Sequence, residues 1–297
     1  LRSLLRNSLF QLAAAIKLDE AAIRLRRVGR NDAGPQVQVV AMHETLRRNA
    51  DDFRRQLEWV AEHFELISPA TFFALWERPE LSAKLSTEWS KPAVLFSFDD
   101  GRESNYEVAA PLLEEMGTRG LFFVVPDFIG LSGSAAKDFY YSRIDIRGGA
   151  QSASAEDWTP MKPDQLADLV KCGHAVGNHT LSHVNLSALS QSELREQIDG
   201  AASKIASWTG TRADAFAWPY AWSAMTKQAW DAVRAGHRFC FAPCPGTTDC
   251  EADSPYLIWR TEIESYYSEP EYRFMYSGLV NPIWSNRRRR LTAILRA

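Results

Sequence analysis

The sequence predicts an α/β protein whose strands close into a parallel barrel of about seven strand–helix units. Three observations carry this. From Val37 onward, short runs of β-branched and apolar residues alternate with segments of helical spacing. One run, Ala93 to Phe98, is almost wholly apolar, as a strand buried on both faces must be. The alternation repeats about seven times in roughly 240 residues, which suits a closed barrel better than an open sheet.

The elements follow in order. Gln36 to Met42 is the first strand. Phe53, Leu57, Val60 and Phe64 give Asp51 to Phe64 one apolar helical face. An extended piece, Glu65 to Ile67, precedes a helix from Pro69 to Trp76, and residues 81–92 read as a loop. After the strand at 93–98, Ser104 is placed to cap a helix that Gly117 ends. Leu121 to Val125 is the next strand, and residues 126–163 read as a long inserted loop of the kind that often carries function. Asp164 to Cys172 is a helix stopped by Gly173, followed by an extended segment from His174 to Gly177. Ser190 and Glu193 form a capping box for a helix reaching Trp208. Ala215 to Trp218, Phe239 to Phe241 and Leu257 to Ile263 are strands, with a helix from Ser223 to Ala235 between the first two.

Composition bounds the function. With 297 residues, 45% apolar and 24% charged, the chain is too apolar for disorder, and four cysteines are too few for a disulfide scaffold. The net charge of −3 hides an uneven layout: residues 1–30 carry +5, residues 287–297 carry +5, and the body between them carries −13. That divides the chain into an amphipathic N-terminal helix and linker (1–35), a main domain (36–286) and a basic C-terminal tail (287–297). An acidic body is no nucleic-acid binder. No run is apolar enough to span a bilayer. The expected location is the cytoplasm, with a removed upstream signal as the alternative. The basic ends either contact an anionic membrane peripherally or form a plain solvated helix and tail. Cys172, ending an apolar helix, is expected in the core. Cys240, Cys244 and Cys250 crowd together but lack the paired spacing of a zinc knuckle.

Reactive groups in a parallel barrel belong at the C-terminal ends of strands. Asp99 and Asp100 stand directly after the strand at 93–98, and adjacent carboxylates there are costly unless something charged is bound. Gly101 permits a sharp departure, although a solvated Asp-Asp-Gly turn has the same spelling. His179 and His183 follow another short strand; on one helical turn their rings would face a single point, which suits a divalent metal. One Asp with two His leaves coordination positions open, the mark of a catalytic site. Phe216 to Tyr220 ends a further strand. There the Tyr220 backbone N–H can meet an oxyanion, and Trp218, Tyr220 and Trp222 offer flat surface for a sugar ring or simply pack the core.

These three motifs, in this order, resemble the polysaccharide deacetylases (carbohydrate esterase family 4), over roughly residues 37–265. The resemblance implies a distorted (β/α)7 barrel and hydrolysis of an N-acetyl group from an amino sugar. It makes Asp99 the general base and Asp100, His179 and His183 the ligands of a divalent metal, zinc before others. Two positions depart from the pattern. Ala217 stands where the family has an arginine that steadies the base, and Leu257 to Ile263 lacks the family's late histidine acid. A branch acting on exopolysaccharides carries that acid early, after the first strand, where this chain has His43. Arg260, from a neighbouring strand, is the candidate replacement for the arginine. The implied partner is an N-acylated saccharide. Two other readings stay open: a deformylase or deacetylase of a lipid-linked sugar, and a carbohydrate-binding protein with a decayed site.

Overall fold

The computed structural model describes residues 10–14, 17–28, 35–146, 154–220 and 224–296. Its strands are β1 (Gln36–Met42), β2 (Glu65–Leu66), β3 (Ala93–Phe98), β4 (Leu121–Val124), β5 (Ala175–Asn178), β6 (Ala215–Ala217), β7 (Phe239–Ala242), β8 (Thr248–Asp249) and β9 (Ile258–Glu262). Seven of them, in the order β1-β3-β4-β5-β6-β7-β9, are parallel neighbours, and β1 pairs with both β3 and β9. The sheet therefore closes on itself as the expected (β/α)7 barrel. β2 extends one edge of β3, and β8 runs antiparallel to the start of β1.

Side chains alternate between the two faces of a strand, and the barrel sorts them accordingly. One buried cluster takes every second residue from strand after strand: Val37 and Val39, Ala93 and Leu95, Leu121 and Phe123, Ala215 and Ala217, Phe239 and Phe241, then Ile258. These fill the interior. The helix Pro69–Glu77 adds Phe72, whose ring lies 5.9 Å from Phe241. The alternate positions, among them Val40, Val94, Phe96, Phe98 and Phe122, face outward onto Phe53, Leu57 and Val60 of the helix Ala50–His63 and onto Leu166 and Leu169 of the helix Pro163–Lys171. Burying each such side chain contributes about 1.5–3 kcal/mol.

Several connections differ from the sequence reading. Residues 81–92 are mostly helix (Pro79–Glu88), started by Pro79 and Glu80 in its first turn; its weak amphipathy hides it. The long segment 126–163 folds into the helices Gly133–Phe139 and Ala155–Trp158 over a small core of Val125, Phe128, Ala136 and Tyr140. Ser104 makes no capping bond because it is already helical. Before Pro111, which has no N–H to donate, the turn 105–109 widens so that Ala110 bonds back to Asn105. The helix expected from Ser223 begins at Lys227, where Thr226 caps it. Cys172 is exposed rather than in the core, since the apolar stripe of its helix ends at Leu169.

The helix Leu18–Val28 packs on the helix Glu269–Tyr276 through buried Ile23 and through Arg273, which bonds Asp19 at 2.6 Å and Glu20 at 3.1 Å. The basic residues 287–290 lie within the helix Asn281–Arg296, anchored by buried Leu291. Among the described residues, no helix is long and apolar enough to cross a membrane.

At the end of β3 the chain turns through two left-handed residues, Asp100 (φ 73°) and Gly101 (φ 84°). A Cβ at Gly101 would sit 2.8 Å from Ile129 Cδ1 and 3.1 Å from Val124 Cγ1. Gly101→Ala is therefore expected to cost about 1–3 kcal/mol in denaturant unfolding. An unchanged midpoint would contradict this packing.

Candidate active site

The inward-facing series of each strand, continued past its end, supplies the site. Val37, Val39 and Ala41 lead to His43; Ala93, Leu95 and Ser97 lead to Asp99; Ala175 and Gly177 lead to His179; Ile258 leads through Arg260 and Glu262 to Glu264. Gly177 is part of this device. A Cβ there would lie 2.5 Å from the Phe123 ring, which occupies the barrel axis beneath His179.

His179 and His183 do converge with Asp100, but not on a helical turn. The segment is irregular, with Thr180 (φ 67°) and His183 (φ 52°) both left-handed. His179 Nδ1 lies 2.9 Å from the Ala217 carbonyl and His183 Nδ1 lies 2.7 Å from the Arg143 carbonyl. Each carbonyl holds the Nδ1–H tautomer and leaves Nε2 free to ligate. Asp100 Oδ1 lies 3.7 Å from one Nε2 and 3.6 Å from the other. This oxygen is buried and has no hydrogen-bond partner, a costly arrangement that a cation would relieve. Burial pulls the His179 imidazole down to about 4, so it is neutral, as a ligand must be. The three donors fit a divalent ion with positions left open.

Asp99 takes the other direction. Its Oδ1 accepts from Arg260 Nη1 at 2.6 Å, and both side chains are buried. Burial alone would push the Asp99 carboxyl up; the charge of Arg260 and its hydrogen bond outweigh it and hold the carboxyl at about 2. β1 lies between β3 and β9, so Arg260 reaches across a strand to make this bond. The guanidinium that Ala217 cannot supply is thus present, from a different strand.

Sequence reasoning stopped one residue short of Glu264. Glu264 Oε1 lies 2.7 Å from His43 Nδ1, and its Oε2 accepts the His43 backbone N–H at 3.1 Å. Burial alone would lower the His43 imidazole; Glu264 outweighs it and raises it to about 10. The one signal in the chain was an acid two residues beyond Glu262, on the same face. Glu262 also lies near His43 and Glu264, but the close His43–Glu264 pairing makes that group an ion pair first.

The aromatic residues divide. Tyr220, left-handed at φ 60°, packs its ring 4.7 Å from His183, and its hydroxyl lies 2.8 Å from the Arg143 carbonyl and 2.9 Å from the His183 carbonyl. It braces His183 and, half-buried, also lines the cleft. Trp218 is 1% exposed and packs edge-on to Phe216 in a buried cluster, while it also borders the catalytic cleft. Trp222 lies outside the described residues. Cys240, Cys244 and Cys250 are buried free thiols, all pushed up by burial, which leaves them unreactive. The open side of the site is a cleft of about 900 Å³ whose walls include His43, Asp99, Asp100, Tyr220 and Arg260.

A family model described as polysaccharide deacetylase matches residues 86–239, just over half the chain, and the protein belongs to that family. Asp99, Asp100, His179, His183 and Tyr220 fall within the match; His43, Arg260 and Glu264 fall outside it. Similar solved structures include a polysaccharide deacetylase from Bacillus cereus, 17% identical over 82% of this chain and 69% of that one, with a TM-score of 0.59. A de-N-acetylase from Aggregatibacter actinomycetemcomitans is 16% identical over 81% and 99% (TM-score 0.58). IcaB from Ammonifex degensii is 18% identical over 83% and 98% (TM-score 0.54). At these identities the likeness establishes a shared fold. An uncharacterized 30.6 kDa protein of Geobacillus stearothermophilus is 22% identical over 131 residues, 44% of this chain and 38% of that one.

The His43–Glu264 pair makes a pH prediction. A raised histidine favours the folded state fully below its ordinary value of 6.5, and the contribution is lost as pH rises through about 10. In Glu264→Gln the His43 ring, followed by NMR, should lose its proton far lower, near its ordinary range. A titration unchanged from wild type would show that Glu264 does not hold the proton.

Proposed function

We propose that the protein hydrolyses the amide of an N-acylated amino sugar, with acetyl as the first acyl group to test, using a divalent ion, zinc before others. The observation that carries this is the unpartnered buried Asp100 Oδ1 facing two imidazole Nε2 atoms beside an ionised Asp99. A zinc ion held by Asp100, His179 and His183 would supply Lewis acidity, making water more acidic and polarising the acyl carbonyl.

The chain's own residues do the proton work. Asp99, kept ionised by Arg260, accepts a proton from the attacking water as its oxygen bonds to the acyl carbon. The Tyr220 N–H, at a left-handed turn on the cleft wall, is the candidate donor to the carbonyl oxygen as it gains charge. His43, kept protonated by Glu264, gives a proton through Nε2 to the sugar nitrogen as the C–N bond breaks. The products are a carboxylic acid and a free amino sugar. The bond from Arg260 to Asp99 and the pairing of His43 with Glu264 favour hydrolysis over the decayed-site reading, since they offer groups for the two roles whose usual residues are missing. Fold likeness to a protein described as a de-N-acetylase supports acetyl as the first acyl group to test.

The test is amine release from N-acetylated and N-formylated saccharides by the zinc-loaded enzyme, read by mass spectrometry. Asp99→Asn should lower turnover at least about 100-fold while metal analysis shows zinc retained. Zinc-loaded wild type that releases no amine from any acyl sugar would contradict the proposal.

A further inference from the structure

The cleft does not end at the catalytic residues. The helix Asn281–Arg296 contributes Trp284 and Arg287 to the same cavity as His43 and Asp99. That helix is fixed in place: Leu291 is fully buried, and Arg288 donates to the carbonyls of Pro245 and, at 3.1 Å, Asn281. Gly246 lies so close that a Cβ there would be 2.9 Å from Trp259 and 3.1 Å from Arg288. The Arg287 guanidinium sits over the Trp284 ring, 4.3 Å from its centroid. The same Trp284–Arg287 pair also lines a second hollow, of about 290 Å³, together with Ile283 and Arg290. One surface therefore leads from the catalytic cleft, past a stacked aromatic–guanidinium pair, into a basic pocket.

The two ends of this surface differ in sign. Asp99, Asp100, Asp145 and Glu262 line the catalytic end together with His43 and Arg260, so acids outnumber bases there, which suits a neutral acylated sugar. Arg287 and Arg290 mark the far end, and planar guanidinium groups match phosphate oxygens. Of the neighbouring arginines, Arg288 is spent on backbone carbonyls and Arg289 is exposed beside Asn286, outside both cavities.

We propose that Arg287 and Arg290 form an anion subsite, so that the acylated amino sugar is one carrying a phosphate or diphosphate ester. This rests on the hydrolase reading of the cleft and specifies its substrate class. Binding separates the two claims. In zinc-loaded Asp99→Asn enzyme, N-acetylglucosamine 1-phosphate should bind at least tenfold more tightly than methyl N-acetylglucosaminide, with the advantage shrinking as salt rises. Arg287→Gln with Arg290→Gln should bring that ratio near one and each single variant should lower it, whereas Arg289→Gln, which removes as much charge from the same helix as either single variant, should preserve it. Equal binding of the two probes, or a ratio unchanged in the double variant, would overturn the subsite. A phosphate preference without amine release in wild type would leave the subsite standing and remove the hydrolase reading. Turnover of nucleotide-diphosphate sugars against lipid-diphosphate sugars in micelles would identify the source of the ester. Faster turnover of neutral N-acetylated oligosaccharides than of every phosphate ester would overturn the proposed class.

Discussion

The buried bond between Arg260 and Asp99 is the constraint on which the rest of this structure depends. Both groups sit inside the barrel within 2.6 Å of each other, with side chains 2% and 4% exposed. An unpaired charge there would cost several kcal/mol, so Asp99 depends on the Arg260 cation, while an amide oxygen at position 99 would still accept from Arg260. They meet only because β9 lies beside β1 and β1 beside β3, which is the step that closes the sheet. Closure of the fold and the ionised state of Asp99 are thus one physical fact. Arg260 is further confined between Ser97, at 3.5 Å, and the Phe123 ring, at 5.2 Å.

The same cleft keeps two titratable groups in opposite states. Asp99 is held at about 2 by a cation and His43 at about 10 by an anion, each through its own buried partner. Such separation lets one group accept protons and the other deliver them at a single pH. Between them, Asp100, His179 and His183 form a third unit whose imidazoles are aimed by the carbonyls of Ala217 and Arg143. The Arg143 carbonyl comes from the segment 126–163, so that insertion is part of the site's support.

The barrel was legible in the chain because its signals are local. Ala93 to Phe98 shows two-sided burial directly, and the capping box at Ser190 and Glu193 starts its helix as expected. Asp99, Asp100, His179 and His183 were legible because unusual residue types follow strand ends. The geometry joining the histidines was not, since four-residue spacing suits a helix and nothing in the letters reveals left-handed Thr180 and His183. Helices at 79–88 and 133–139 escaped because their apolar stripes are weak and their partners are distant in the chain. Trp218 illustrates an ambiguity that the letters leave open: it packs in a buried cluster with Phe216 and also borders the cleft. Glu264 was invisible for a different reason. Its role exists only through a partner 221 residues away.

The most direct test of this account is a double-mutant cycle on Asp99→Asn and Arg260→Gln, measured by denaturant unfolding of chelator-treated protein. Arg260→Gln alone leaves Asp99 buried without its cation and should be strongly destabilising, by roughly 3–5 kcal/mol. Adding Asp99→Asn should recover part of that loss, giving a coupling energy of about 2 kcal/mol or more. Additive effects, with no coupling between the two sites, would contradict the central claim that this pair joins barrel closure to the charge state of the site.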